Sequence, residues 1–189
     1  MGFYKNIGAL RSSQPKSRYI SVEKTAFAFL DIETTGLYPE RGSRIIEIAI
    51  LSRNNPRFLF NETASTITDK KLAQQLPLLS NYLQSGVIVG HNVNFDLQFI
   101  AYEADRLGCR GPNVLFIDTL QLAKRLCIDI QDHRLLSLIK FFNISTNGPL
   151  HRAEIDARCT RALFWKLINK GGIETLSQAG IKQLNWSTF

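Results

Sequence analysis

Residues 25–37 read TAFAFLDIETTGL. The first nine alternate and are rich in aromatic and apolar side chains, which predicts a strand over about 25–32. Asp31 and Glu33 stand two apart in it, and side chains at i and i+2 of a strand leave the same face. Both carboxylates are therefore expected at one end of one sheet face, where Thr34, Thr35, Gly36 and Leu37 begin a turn. A single acid pair at a strand end is ordinarily just solvated, so the rest of the chain decides what this pair is for.

Two further blocks bear on it. Asp96 lies in VGHNVNFDLQFI, where Asn92 is a good N-cap for a helix over about 94–107. Asp96 then falls in the first turn, where the helix dipole favours an anion. His151 and Asp156 lie in HRAEIDA at the head of a helix over about 152–170. Four carboxylates and one histidine suit phosphodiester hydrolysis. A phosphodiester repels an attacking hydroxide, and two divalent cations roughly 3.5–4 Å apart offset that charge and hold the attacking and leaving oxygens. Mg²⁺ prefers oxygen ligands, so carboxylates must converge while few other ligands are needed. There is no CxxC spacing among Cys109, Cys127 and Cys159. Their odd number suggests reduced thiols in a cytoplasmic compartment, not a disulfide framework or zinc site.

The order Asp-x-Glu, Asp, His-x-x-x-x-Asp, from about Thr25 to Lys170, resembles the DEDDh (DnaQ-like) 3′–5′ exonucleases. That family includes polymerase proofreading subunits and RNase T. The resemblance implies two Mg²⁺ or Mn²⁺ ions held by Asp31, Glu33, Asp96 and Asp156. Asp31, Glu33 and Asp156 would hold one ion and Asp31 would bridge to the second, with Asp96 on a coordinated water or in the outer shell. His151 would take the proton from the nucleophilic water, a task that suits imidazole because its ordinary pKa lies near neutrality. Thr34, Thr35, Gly36, Leu37, His91, Asn92 and Phe95 match positions that lie against the 3′-terminal nucleotide in the family. Asp118, opening DTLQLAKRL, reads as a helix cap and not as a fifth catalytic acid. The implied activity is removal of nucleoside 5′-monophosphates from single-stranded or frayed DNA 3′ ends. A 3′ exoribonuclease like RNase T or oligoribonuclease is the enzymatic alternative, and a non-catalytic module that binds nucleic acid or a polymerase is the other. A DNA polymerase is a further partner that the resemblance allows.

The fold implied by the resemblance is ribonuclease H-like: an α/β, mixed five-stranded sheet flanked by helices. The pattern itself gives strands at about 25–32, 44–51, 57–61, 87–90 and 114–117, the second and third joined as a hairpin through Asn54-Asn55-Pro56. Helices are expected at about 69–84, broken near Pro77, then 94–107, 119–127, 134–142 and 152–170. Residues 24–175 are expected to form the exonuclease domain, with residues 1–23 a basic N-terminal extension and 176–189 a C-terminal tail. The extension is open to three readings: a disordered tail, a transit peptide, or an arm on nucleic-acid phosphates. In QLNWSTF, residues 183–189, Gln183, Trp186 and Phe189 resemble peptides that dock on the bacterial sliding clamp, but packing of the two aromatics back on the domain is the preferred reading.

The 189 residues carry a net charge of +7 although the expected site is acidic, which favours a polyanionic partner. Arg41, Arg44, Arg53 and Arg57 are the expected phosphate contacts. No apolar run is long enough for a membrane helix, so no membrane partner is expected. The segment between Glu33 and Asp96 is short for the family, and in STITDKKL, residues 65–72, Thr66 stands where a glycine is usual. Both departures bear on substrate grip more than on chemistry.

Overall fold

Strand β1 (Phe27–Thr34) has neighbours of opposite direction on its two sides, and that asymmetry organises the molecule. The computed structural model describes residues 20–52 and 57–186. β2 (Ile45–Ser52) runs antiparallel to β1 and pairs with β3 (Arg57–Asn61), also antiparallel. On the other side β4 (Val87–Gly90) is parallel to β1, and β5 (Val114–Asp118) is parallel to β4. The switch from antiparallel to parallel neighbours falls at β1, whose C-terminal end carries Asp31 and Glu33. In open α/β sheets such ends are where ligands settle.

A sixth strand corrects the expected five. β6 (Lys182–Leu184) pairs antiparallel with β5 and completes the order β3-β2-β1-β4-β5-β6 among the described residues. Three residues are too few for periodicity to reveal. The strand forms because Ile181 and Leu184 are buried, and because a capped turn, α6 (Leu176–Ala179), aims the chain back at the sheet edge. Trp186 then lies so close over Gly111 that a Cβ there would sit 1.0 Å from the indole ring. Trp186 thus takes the packed option and not an exposed, mobile one; Phe189 lies outside the described residues.

Alternation along β1 divides the core. Phe27 and Phe29 join one apolar cluster with Leu163, Phe164 and Leu167 of α5 (Ala153–Gly171). Ala28, Leu30 and Ile32 join the other, with α1 (Asp69–Leu83) and α2 (Val93–Arg106). α1 runs unbroken through Pro77, contrary to expectation. Proline removes one helical hydrogen bond, but Leu72, Leu76, Leu79 and Leu83 bury one continuous face that holds the helix together. α3 (Thr119–Leu126) and α4 (Leu135–Phe141) complete the α5 side. No helix among the described residues is long and apolar enough to cross a membrane.

Because Trp186 belongs to the packed fold, Trp186→Ala should lower unfolding free energy by roughly 1–3 kcal/mol, and Gly111→Ala should be destabilising for want of space. Chemical denaturation checks this, and unchanged midpoints in both variants would mean the C-terminal segment is not part of the folded unit.

Candidate active site

Asp31 and Glu33 continue the face of β1 that carries Phe27 and Phe29, so they point toward α5. Ladder register sets Ala49 opposite Asp31 and Glu47 opposite Glu33. Immediately after Glu33 the register shifts. The chain turns out of the sheet, with the Thr35 N–H donating to Arg44 O (2.9 Å) and the Arg44 N–H donating to Thr35 Oγ1 (2.9 Å). Thr34 Oγ1 donates to Gly36 O at 2.7 Å. Gly36 lies close against Ser43, whose Oγ would stand 2.7 Å from a Cβ at that position and would have to turn aside. Leu37 and Tyr38 are left exposed at the edge of this turn, with Arg41 over the Tyr38 ring at 4.7 Å.

Both acid-bearing helices are entered through a non-glycine residue in the left-handed region. Asn92 (φ 62°) precedes α2 and His151 (φ 64°) precedes the N-cap of α5. Such conformations cost on the order of 1 kcal/mol or more and persist only where surrounding contacts enforce them. At α2 the enforcing group is Asp118. Its Oδ1 accepts the Asn92 N–H (2.9 Å) and the Leu120 N–H (2.9 Å). Asp118 caps α3 as expected, and also clamps the entry to α2. Asn92 makes no side-chain cap bond, contrary to expectation. One turn on, Asp96 is buried, and its Oδ1 accepts the Ile32 N–H from β1 at 3.0 Å. That bond ties Asp96 to the β1 backbone at the residue between Asp31 and Glu33.

At α5 the His151 N–H donates to Asp156 Oδ2 at 3.2 Å, fixing the loop to the helix. Asp156 is buried, and its Oδ1 has no hydrogen-bond partner among the described residues. The Glu33, His151 and Asp156 side chains each present a ligand atom, all within 4.8 Å of one another.

The electrostatics show how crowded this point is. Burial, and then the charges of Asp96, Asp156, Glu33 and Glu47, push the Asp31 carboxyl well above its ordinary range. Burial likewise raises Asp96, with two backbone N–H donors pulling the other way. Glu33 is raised by burial and then by Asp156, with His151 opposing. Asp156 is raised chiefly by burial, while the His151 N–H and ring oppose. Acids that repel one another while half- or fully buried, with one oxygen left unpartnered, fit a divalent cation. Hard carboxylate oxygens suit Mg²⁺ or Mn²⁺.

The remaining expected residues divide. Phe95 is half-buried against Phe99, with ring centroids 5.6 Å apart. His91 turns to Thr119 (3.0 Å), and burial lowers its pKa to about 4, so it is neutral near pH 7. The arginine group is largely committed to protein contacts. Arg44 bridges Asp69 and buried Glu103, Arg57 pairs with Glu154, and Arg53 lies outside the described residues, as do the basic residues before Ile20. Thr66, in place of the glycine, ties its loop together, accepting from the Thr63 N–H at 2.8 Å. One residue at the site escaped the sequence reading: Glu47, whose carboxylate binds Arg152 (2.8 Å) and the Ala153 N–H (3.1 Å). Its signal was an acid inside the apolar run RIIEIAIL.

The chain is similar to the PolC-type DNA polymerase III of Caldanaerobacter subterraneus, with 32% identity across 84% of this chain and 12% of that protein. It is similar to the 3′-5′ exonuclease DinG of Bacillus subtilis, with 26% identity across 86% of this chain and 19% of that protein. The chain thus spans well under a quarter of the length of either relative. Among solved structures, the cell-death related nuclease CRN-4 superposes with a TM-score of 0.60 at 14% identity, over 78% of this chain and 64% of that one. Pop2p of S. pombe, in a form with Mg²⁺ and Mn²⁺ bound, gives a TM-score of 0.57 at 15% identity, over 78% and 84%. These two likenesses bear on the fold. The sequence profile of the RNase H superfamily matches residues 28–153. With the six-stranded mixed sheet and the acids at the end of β1, this places the chain in the RNase H superfamily, with the DnaQ-like order of site residues.

Proposed function

We propose that this chain is a metal-dependent 3′–5′ exonuclease that hydrolyses single-stranded or frayed DNA ends to nucleoside 5′-monophosphates. The observation that carries the reading is the convergence of Glu33, His151 and Asp156 within 4.8 Å beside the Asp31–Asp96 pair. The names of the similar PolC-type polymerase and DinG exonuclease support DNA as substrate and the 3′–5′ direction.

Asp31, Glu33 and Asp156 would hold the ions, with Asp96 supporting them through its bond to the strand. Two Mg²⁺ or Mn²⁺ ions bound there supply positive charge that offsets the phosphate and favours ionisation of water. The chain does the rest. His151 is exposed at the edge of the acid cluster and accepts the proton of the attacking water. The water oxygen bonds to phosphorus as the bond to the preceding 3′ oxygen breaks. Leu37 and Tyr38 offer an apolar edge on which a terminal base can rest. A DNA polymerase is a fitting partner, since the chain matches a part of one.

The test is degradation of matched 3′- and 5′-labelled DNA and RNA oligomers in Mg²⁺, in Mn²⁺ and in EDTA. DNA should shorten from the 3′ end with metal and stay intact in EDTA. Shortening in excess EDTA, or from the 5′ end, contradicts the reading; faster RNA cleavage would move the substrate to the exoribonuclease alternative.

Roles divide under mutation. Asp156→Ala should abolish cleavage and weaken Mn²⁺ binding. His151→Ala should lose about 10²–10⁴-fold in kcat, the usual range for a general base, while calorimetry still detects Mn²⁺. Lost Mn²⁺ affinity in His151→Ala would make the histidine a ligand instead.

The acids also predict a pH signature of the metal-free protein. A carboxylate with a raised folded-state pKa holds its proton more tightly folded than unfolded, so ionising it destabilises the fold as pH rises through that value. Metal-free Asp31→Asn should therefore melt above wild type at about pH 8, and the margin should shrink as pH falls toward the ordinary carboxylate range. A variant that melts below wild type at the higher pH would show that the acids are not in conflict.

A further inference from the structure

Glu47 stands at the junction of the two halves of the site, and each of its oxygens already accepts a hydrogen bond. Oε1 accepts from Arg152 Nε at 2.8 Å and Oε2 from the Ala153 N–H at 3.1 Å. Its side chain is only 14% exposed. Ala153 is the first residue of α5, so its N–H is one of the donors that a helix cannot satisfy internally. The N-cap residue, Arg152, makes no side-chain cap bond. A carboxylate from another element therefore caps this helix. That element is β2, where Glu47 lies directly opposite Glu33. Asp156, one turn into α5, and His151, two residues before Ala153, move with the helix entry that Glu47 holds.

We infer that Glu47 is a positioning residue: it fixes the entry of α5, and with it His151 and Asp156, against the strand that carries Asp31 and Glu33. The inference rests on the nuclease reading of the site. Its physical content is reach, not charge. A carboxylate brought near Asp31, Glu33 and Asp156 adds repulsion, since its charge raises all three. Against that repulsion, the bond from the Ala153 N–H is what ties the helix entry to β2. The same contact keeps the half-exposed Arg152 guanidinium beside the site.

Two substitutions separate reach from charge. Glu47→Gln keeps the length and one oxygen able to accept from Ala153, but loses the charge. Glu47→Asp keeps the charge but is one methylene too short to span the gap. Each is compared with wild type for kcat and KM on a 3′-labelled DNA oligomer, and for Mn²⁺ affinity by calorimetry. Residues that orient metal-binding groups typically cost ten- to a hundredfold when altered, so Glu47→Asp should lose about that much in kcat or Mn²⁺ affinity. KM should change much less, and Glu47→Gln should stay within about threefold of wild type. The opposite order, with Asp active and Gln impaired, would make Glu47 an electrostatic or ligand group and overturn the inference. Equal losses in both, or wild-type behaviour in both, would also overturn it. If wild type itself cleaves nothing, the nuclease reading falls, while the Mn²⁺ titrations of the two variants still decide whether Glu47 positions the site.

Discussion

Carboxylates crowded at the end of β1 repel one another, and the surrounding structure is arranged to hold them there. Burying an ionised acid without compensation costs several kcal/mol. Here the compensation comes from backbone N–H groups, each supplied by a neighbouring element. Ile32 donates to Asp96, His151 to Asp156, Ala153 to Glu47, and Asn92 to Asp118. Every one of these bonds joins two segments, so the same contacts that make the acids tolerable also fix their geometry. What they leave uncompensated is the mutual repulsion of Asp31, Glu33 and Asp156 and one buried oxygen of Asp156. A divalent cation is the natural counterpart of that remainder.

Two sources made part of this arrangement legible in the chain: strand periodicity for Asp31 and Glu33, and the resemblance to the DnaQ-like family for Asp96, His151 and Asp156. Asp31 and Glu33 lie two apart on a clear strand, so their common face followed from strand geometry alone. Asp96 and Asp156 sit at helix positions otherwise filled by buried residues: Val93, Leu97 and Ile100 on α2, Ala153, Ala157 and Thr160 on α5. An acid on the inward stripe at the head of a helix is costly unless something meets it. What sequence could not give was contact between distant elements. Glu47 reads as an oddity in an apolar strand until α5 is docked over it. The pairing of β6 with β5 depends on a three-residue segment that has no pattern of its own. Asn92 looked like a side-chain cap, but the left-handed turn and the Asp118 clamp are tertiary facts.

The basic surface turned out less simple than composition suggested. A net charge of +7 invites a reading in which arginines near the first turn meet phosphates. Arg44 instead joins Asp69, Glu103 and Arg106 in one ion-pair network beneath that turn. Hydrogen bonds from Arg106 and Arg44 lower the Asp69 pKa to about 2, so this exposed acid keeps its charge under all ordinary conditions. Through Arg44, whose backbone binds Thr35, the network supports the turn that follows Glu33. These two arginines are thus structural, committed to Asp69 and Glu103.

The most direct test of the central claim, that β1, α2 and α5 bring their acids together to hold divalent metal, is anomalous scattering from a crystal grown with Mn²⁺. The account predicts an anomalous peak at the end of β1, coordinated by Asp31, Glu33 and Asp156. A well-ordered crystal with these side chains in place and no peak among them at saturating Mn²⁺ would contradict it.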